Sequence, residues 1–109
     1  MLERDELILL EDCLDDWQGL WEAGWSEINE PVDDRAALVT RLVQRRLLNV
    51  LRLNAWSEVS AAAALPREEA LLVAQDVGNY AAPGEGFVGH FYVLSISPEG
   101  KAAQEDCYN

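Results

Sequence analysis

The chain is poor in sulfur and in positive charge. Cysteine occurs only at Cys13 and Cys107, almost a full chain apart. That spacing supplies no disulfide framework and no paired cysteines for a zinc site. Histidine occurs once, at His90, which leaves little material for a histidine-based metal or acid–base centre. No run of about 18 apolar residues is present, so no membrane-spanning helix is expected. The opening Met-Leu-Glu-Arg-Asp-Glu is acidic and lacks the basic start of a secretory signal. Together these absences point to a cytoplasmic protein.

Lys and Arg number 8 against 20 Asp and Glu, for a net charge of -12, and the imbalance is uneven. Residues 1–34 hold twelve acids and one Arg, whereas residues 35–52 hold five Arg and no acid. Residues 53–109 return to eight acids against two bases. A net field of that sign repels nucleic acid and anionic membrane at long range. The central Arg block is the exception that any functional account must explain.

What is present is ordinary globular material. Half of the 109 residues are apolar and about a quarter charged, which fits a single domain over 1–109 with its own core. Leu7, Leu10, Leu14, Trp17, Trp21, Gly24 and Ile28 recur at spacings of three and four. On a helix of 3.6 residues per turn they share one stripe, widened by Leu20 and Trp25. Glu11, Asp12, Asp15, Asp16 and Glu22 fall on the opposite side. This predicts a long N-terminal amphipathic helix over 7–28, with Trp17, Trp21 and Trp25 along one edge as the anchor of the fold. With its ends the helix would take about 25 residues and reach roughly 37 Å at 1.5 Å per residue, longer than a compact chain of this size. It must therefore bend, protrude, or be covered by a second copy of the chain.

After a loop, Pro31 and the acids Asp33 and Asp34 open a second helix running to about residue 48. Its apolar face is Leu38, Val39, Leu42, Val43 and Leu47. Arg46 falls inside the apolar arc, so either the helix ends there or Arg46 reaches over it to a carboxylate. From Asn49 the period is nearer two and predicts a strand over 50–56, with a continuing helix as the rival reading. Pro66-Arg67-Glu68-Glu69 opens a short third helix that Gly78 ends. Residues 88–97 alternate, with His90, Tyr92, Leu94 and Ile96 on one face and Phe91 and Val93 on the other. Ser97-Pro98-Glu99 is a helix start and predicts a short C-terminal helix.

The segment Tyr92-Val93-Leu94-Ser95-Ile96-Ser97-Pro98-Glu99-Gly100 resembles the end of many bacterial winged-helix domains. There a last wing strand carrying an aromatic and Leu runs into a capped final helix containing Gly; Leu94-Ser95 stands where Leu-Thr is usual. More broadly the chain is similar to small acidic winged-helix-like proteins of GC-rich bacteria. The resemblance implies a winged-helix-like α+β fold, mainly helical, with a small antiparallel sheet from about 50–56 and 88–97. Winged-helix DNA binders, which are similar in fold, carry basic residues on the recognition helix and wing, whereas residues 82–89 here hold Glu85 and no base.

Candidate sites follow from these placements. Arg41, Arg45 and Arg52 share a flank that could contact phosphates, or could answer the acids of the first helix within the molecule. Gly84-Glu85-Gly86-Phe87-Val88-Gly89 matches a dinucleotide fingerprint in letters only, because a loop precedes it and a strand follows. His90 has no carboxylate or nucleophile placed beside it by sequence. Glu11 with Asp15 and Asp12 with Asp16 are carboxylate pairs on a solvated helix face. Trp21, Trp25 and Ile28 are the candidate interface, since Trp is enriched where interfaces concentrate their energy.

The expected function is a non-enzymatic protein-interaction or regulatory module with no cofactor. It is expected to self-associate as a homodimer or to meet a basic protein, and to avoid membranes. The alternative is a winged-helix DNA-binding transcriptional regulator using Arg41, Arg45 and Arg52.

Overall fold

The computed structural model describes residues 2–15, 17–22, 31–80 and 89–107. Helix α1 (Arg4–Asp15) leads into a short strand β1 (Gln18–Gly19) and a 3-10 turn (Leu20–Glu22). Helix α2 (Val32–Gln44), strand β2 (Leu48–Leu53) and a second 3-10 turn (Trp56–Glu58) follow. Helix α3 (Arg67–Gln75), a third 3-10 turn (Val77–Tyr80), strand β3 (Phe91–Ile96) and helix α4 (Pro98–Asp106) complete the order. The class is α+β, mainly helical, with a small antiparallel sheet ordered β1-β3-β2. Strands β2 and β3 pair along their whole length, from Leu48 opposite Ile96 to Leu53 opposite Phe91. They do not form a hairpin, because α3 lies between them in sequence.

The expected long first helix does not form: α1 stops at Asp15, although the hydrophobic period continues. Gln18 and Gly19 instead pair with Leu94 and Val93 of β3. Glycine makes this possible, since a Cβ at position 19 would lie 2.5 Å from the indole of Trp21, which folds back over it. Inside a helix the same glycine would cost about 1 kcal/mol relative to alanine, so residue 19 favours the departure twice over.

The inward face of α1 is also rotated from the expected stripe. Glu6, Leu9, Leu10 and Cys13 are buried, whereas Leu14 and Trp17 are exposed. The tryptophan edge is therefore not the anchor of the core. Gly24, Trp25 and Ile28 lie outside the described residues. A helix of 12 residues is about 18 Å long, and the length argument for a covering second copy lapses with the correction.

Helix α2 begins after Pro31 and buries Ala36, Leu38, Val39, Leu42 and Val43. It ends where Arg46 interrupts the apolar arc. The N–H of Leu47 donates to Leu42 O at 2.9 Å and that of Arg46 to Val43 O at 3.0 Å, while Arg46 takes φ 63°. This is a Schellman ending with arginine in the left-handed position that usually falls to glycine. The chain leaves it directly into β2, two residues earlier than expected. The strand stops at Leu53, where the Glu58 carboxylate accepts the N–H groups of Asn54 and Ala55 at 2.8 and 3.3 Å.

At the far end Ser97 caps α4, its Oγ accepting the Gly100 N–H at 2.9 Å and donating to Arg46 O at 2.6 Å. One hydroxyl thus fastens the start of α4 to the end of α2. Gly100 is needed there, because a Cβ would overlap the Leu47 carbonyl.

The sheet separates two apolar clusters. Leu48, Val50, Tyr92 and Leu94 face α1, α2 and α3 in the main core. Leu51, Leu53 and Val93 point the other way, beneath Val59, Ala62 and Phe91.

Candidate interaction surface

Arg41, Arg45 and Arg52 of the Arg block are already engaged. Arg41, on α2, lies 3.7 Å from Asp5 and 3.6 Å from Glu6, both in the first turn of α1. Arg45 reaches the same Glu6 oxygen at 3.5 Å. The Glu6 side chain is only 5% exposed, and its other oxygen accepts the Glu3 N–H at 2.8 Å. Arg52 donates to Glu69 of α3 at 2.6 Å and lies over the Tyr92 ring, 5.8 Å from its centroid. Two further guanidinium groups tie the chain together: Arg35 donates to Trp21 O at 3.3 Å and Arg67 to Gln44 O at 2.7 Å.

The acids that answer Arg41 and Arg45 come from the start of α1, and Glu69 answers Arg52; Glu11 and Asp12 make none of these pairs. A phosphate on this flank would have to displace carboxylates against the net negative field.

The other face of the sheet carries what sequence reading missed. Trp21, Trp56 and Phe91 meet as a cluster, with Trp21 set edge-on to Trp56 and to Phe91 at centroid distances of 6.0 and 5.7 Å. Trp56 and Phe91 are tilted at 5.4 Å. Such aromatic pairs favour edge-to-face and offset arrangements. Trp56 remains 45% exposed. Of the candidate interface residues Trp21 belongs to this cluster; Trp25 and Ile28 lie outside the described residues. In sequence Trp56 ends one alternating run and Phe91 lies inside another, and the β2–β3 register brings them together.

Two carboxylates share the turns that carry the indoles of Trp21 and Trp56. Glu22 Oε1 accepts the Gly19 N–H at 3.0 Å, and Glu58 Oε1 accepts two N–H groups of its own turn. In both, Oε2 has no partner among the described residues. The surface therefore joins an exposed indole to spare carboxylate oxygens.

The remaining candidates are quieter. His90 Nε2 sits 3.1 Å from the Tyr92 hydroxyl, with the rings edge-on at 5.3 Å. No carboxylate pairs with His90 among the described residues. Cys13 is buried in the core and Cys107 is exposed, and both are free thiols. Burial, with the charge of Asp12 adding to it, pushes the Cys13 thiol up to about 12.

Among the described residues no group of three or more His, Cys, Asp or Glu could hold a metal ion. The Asp15 side chain, Asp16 and most of the glycine motif at 84–89 lie outside the described residues. No described helix is long and apolar enough to cross a membrane. Compared with protein-family models, curated proteins and solved structures, the chain matches none.

Proposed function

We propose that the chain is a non-enzymatic protein-interaction module of regulatory type, winged-helix-like in plan, that grips a basic segment of a partner protein on its aromatic surface. The observation that carries this reading is the half-exposed Trp56, set against Phe91 and Trp21, with Glu22 and Glu58 in the turns that carry the two indoles. A cation over an indole face gains about 0.5–2 kcal/mol, and a carboxylate beside it supplies a second contact for the same guanidinium or ammonium. Charge complementarity with a chain of net charge -12 selects a basic partner and disfavours a second acidic copy. The run of β3 into the Ser97-capped α4 supports the winged-helix-like plan. The engagement of Arg41, Arg45 and Arg52 with carboxylates leaves the DNA reading without a free basic face on that flank.

The test is anisotropy of a labelled peptide of alternating Arg and Gly, titrated with wild type and with Trp56→Ala. The variant has the same charge and should bind about tenfold more weakly, which is about 1.4 kcal/mol. Equal binding would mean that the peptide senses only the overall field and would overturn the proposal. A concentration-dependent dimer abolished by Trp56→Ala would put a second copy on this surface in place of the basic segment. Micromolar binding to duplex DNA at low salt, lost on Arg45→Glu, would restore the regulator reading.

A further inference from the structure

A cleft of about 280 Å³ opens where the end of α2, the start of β2 and the first residues of α3 and α4 converge. It lies on the other side of the sheet from the tryptophan cluster and does not depend on the function proposed for that surface. Leu65, with the edge of Val43, gives it an apolar lining, and Arg46, Arg67 and Glu99 give it polar walls.

The polar groups are held in place yet underused. Arg46 has its backbone fixed by the Schellman ending and by the Ser97 hydroxyl on its carbonyl, while its guanidinium makes no ion pair among the described residues. A non-glycine residue at φ 63° is in a conformation that L side chains rarely adopt, and such positions collect at functional sites. Arg67 gives one N–H of its fork to Gln44 O and keeps the others. The Glu99 carboxylate has no side-chain partner among the described residues. Two guanidinium groups and one carboxylate thus line the same cleft.

That set of groups specifies a ligand. Planar guanidinium groups match a carboxylate. Glu99 matches an ammonium, and the apolar lining matches a short hydrocarbon. The volume lies at the lower end of ligand pockets, which run from about 300 to 1,000 Å³, so the molecule is small. A simple anion would be repelled by the net charge of -12, whereas a zwitterion is neutral at long range. We propose that this cleft binds a free aliphatic α-amino acid, with its carboxylate on Arg46 and Arg67, its ammonium on Glu99, and its side chain against Leu65 and the edge of Val43.

The experiment is a titration of the whole protein followed by amide chemical shifts. The probes are L-leucine, isocaproate (the same skeleton without the ammonium) and isoamylamine (without the carboxylate). L-Leucine should give saturable shifts at residues 43–50, 65–70 and 97–100, and each truncated probe should bind about tenfold or more weakly. Arg46→Gln should weaken L-leucine about tenfold. Glu99→Gln should weaken L-leucine while leaving isocaproate as tight as before or tighter, a reversal that a merely structural role would not produce. Ligand-free spectra establish that each variant is folded, and should Arg46→Gln fail, the Glu99→Gln comparison decides alone. Absence of shifts at millimolar L-leucine, isocaproate binding as tightly as L-leucine, or an equal effect of Glu99→Gln on both probes would each overturn the proposal.

Discussion

Val93 and Leu94 are neighbours on β3, both wholly shielded from solvent, yet they live under different roofs. Leu94 lies in the main core with residues of α1, α2 and α3. Val93 belongs to a small cluster with Leu51 and Leu53, roofed by Val59, Ala62 and Phe91, with Trp21 and Trp56 stacked on Phe91 at its edge. The helical side is a deep apolar volume with Arg41, Arg45 and Arg52 tied off at its rim by Glu6 and Glu69. The other side is shallow and ends in an indole that water still reaches. Burial of a single residue does not distinguish them; what lies above it does. The helical side carries the stability, and the aromatic side is where a partner has something left to cover.

The comparison predicts unequal costs, and the largest is on the helical side. Leu94→Ala should lower unfolding free energy by about 3–5 kcal/mol, as expected where a cavity opens that neighbours cannot refill. Trp56→Ala removes more atoms but from a half-exposed ring, and should cost about 1–2 kcal/mol through its two aromatic contacts. Urea titrations of the two variants measure this difference. Equal losses would mean that the tryptophan cluster is core, and the surface proposed for a partner would disappear.

The same division explains what sequence alone could reach. Helix α2 was legible because Pro31, two acids and a regular apolar period all point the same way. The start of α4 was legible because Ser97, Pro98 and Glu99 are local signals acting over one turn. Strand β1 was not, because its two residues are fixed by Leu94 and Val93 near the other end of the chain, and no local pattern encodes that pairing. Gly19 was the available clue: a glycine in the middle of an expected helix marks a close approach more often than a gentle bend. Trp21, Trp56 and Phe91 come from three separate elements, as do Arg46, Arg67 and Glu99. Such constellations are products of register and packing. Arg46 did announce itself, since a charged residue within an apolar arc requires the helix to stop or the side chain to escape, and the helix stops.

An intermediate effect is expected at high pH, again on the helical side. The Cys13 thiol is raised from 9.0 to about 12 by burial first and Asp12 second, and burial raises the Tyr80 phenol as well. In the unfolded chain the thiol ionises near its ordinary value. Above about pH 9 the folded state therefore binds more protons than the unfolded one, and stability falls as pH rises. It is fully present below pH 9 and declines by up to about 1.4 kcal/mol per pH unit towards 12, or about 2 kcal/mol by pH 10.5. Cys13→Ala should start less stable but show a shallower decline between about pH 9 and 10, where Tyr80 contributes little. An unchanged slope in that window would mean that the thiol is not sealed by α1.

The smallest effect tests the rim. Glu6 is the one buried carboxylate that Arg41 and Arg45 share, but both guanidinium groups are nearly half exposed, at 46% and 43%. Glu6→Gln keeps the shape and removes the charge, so the loss should be about 1 kcal/mol and should shrink as salt is raised. Its value lies in what it releases. Arg41 keeps only Asp5, and Arg45 is left without an ion pair among the described residues. If internal pairing is what silences the Arg flank, Glu6→Gln should gain affinity for duplex DNA at low salt, and Arg45→Glu in the same background should erase the gain. A variant that stays blind to DNA would show that the net negative field, and not the Glu6 pairs, keeps nucleic acid away. The helical rim would then be insulated by charge at a distance instead of by contact.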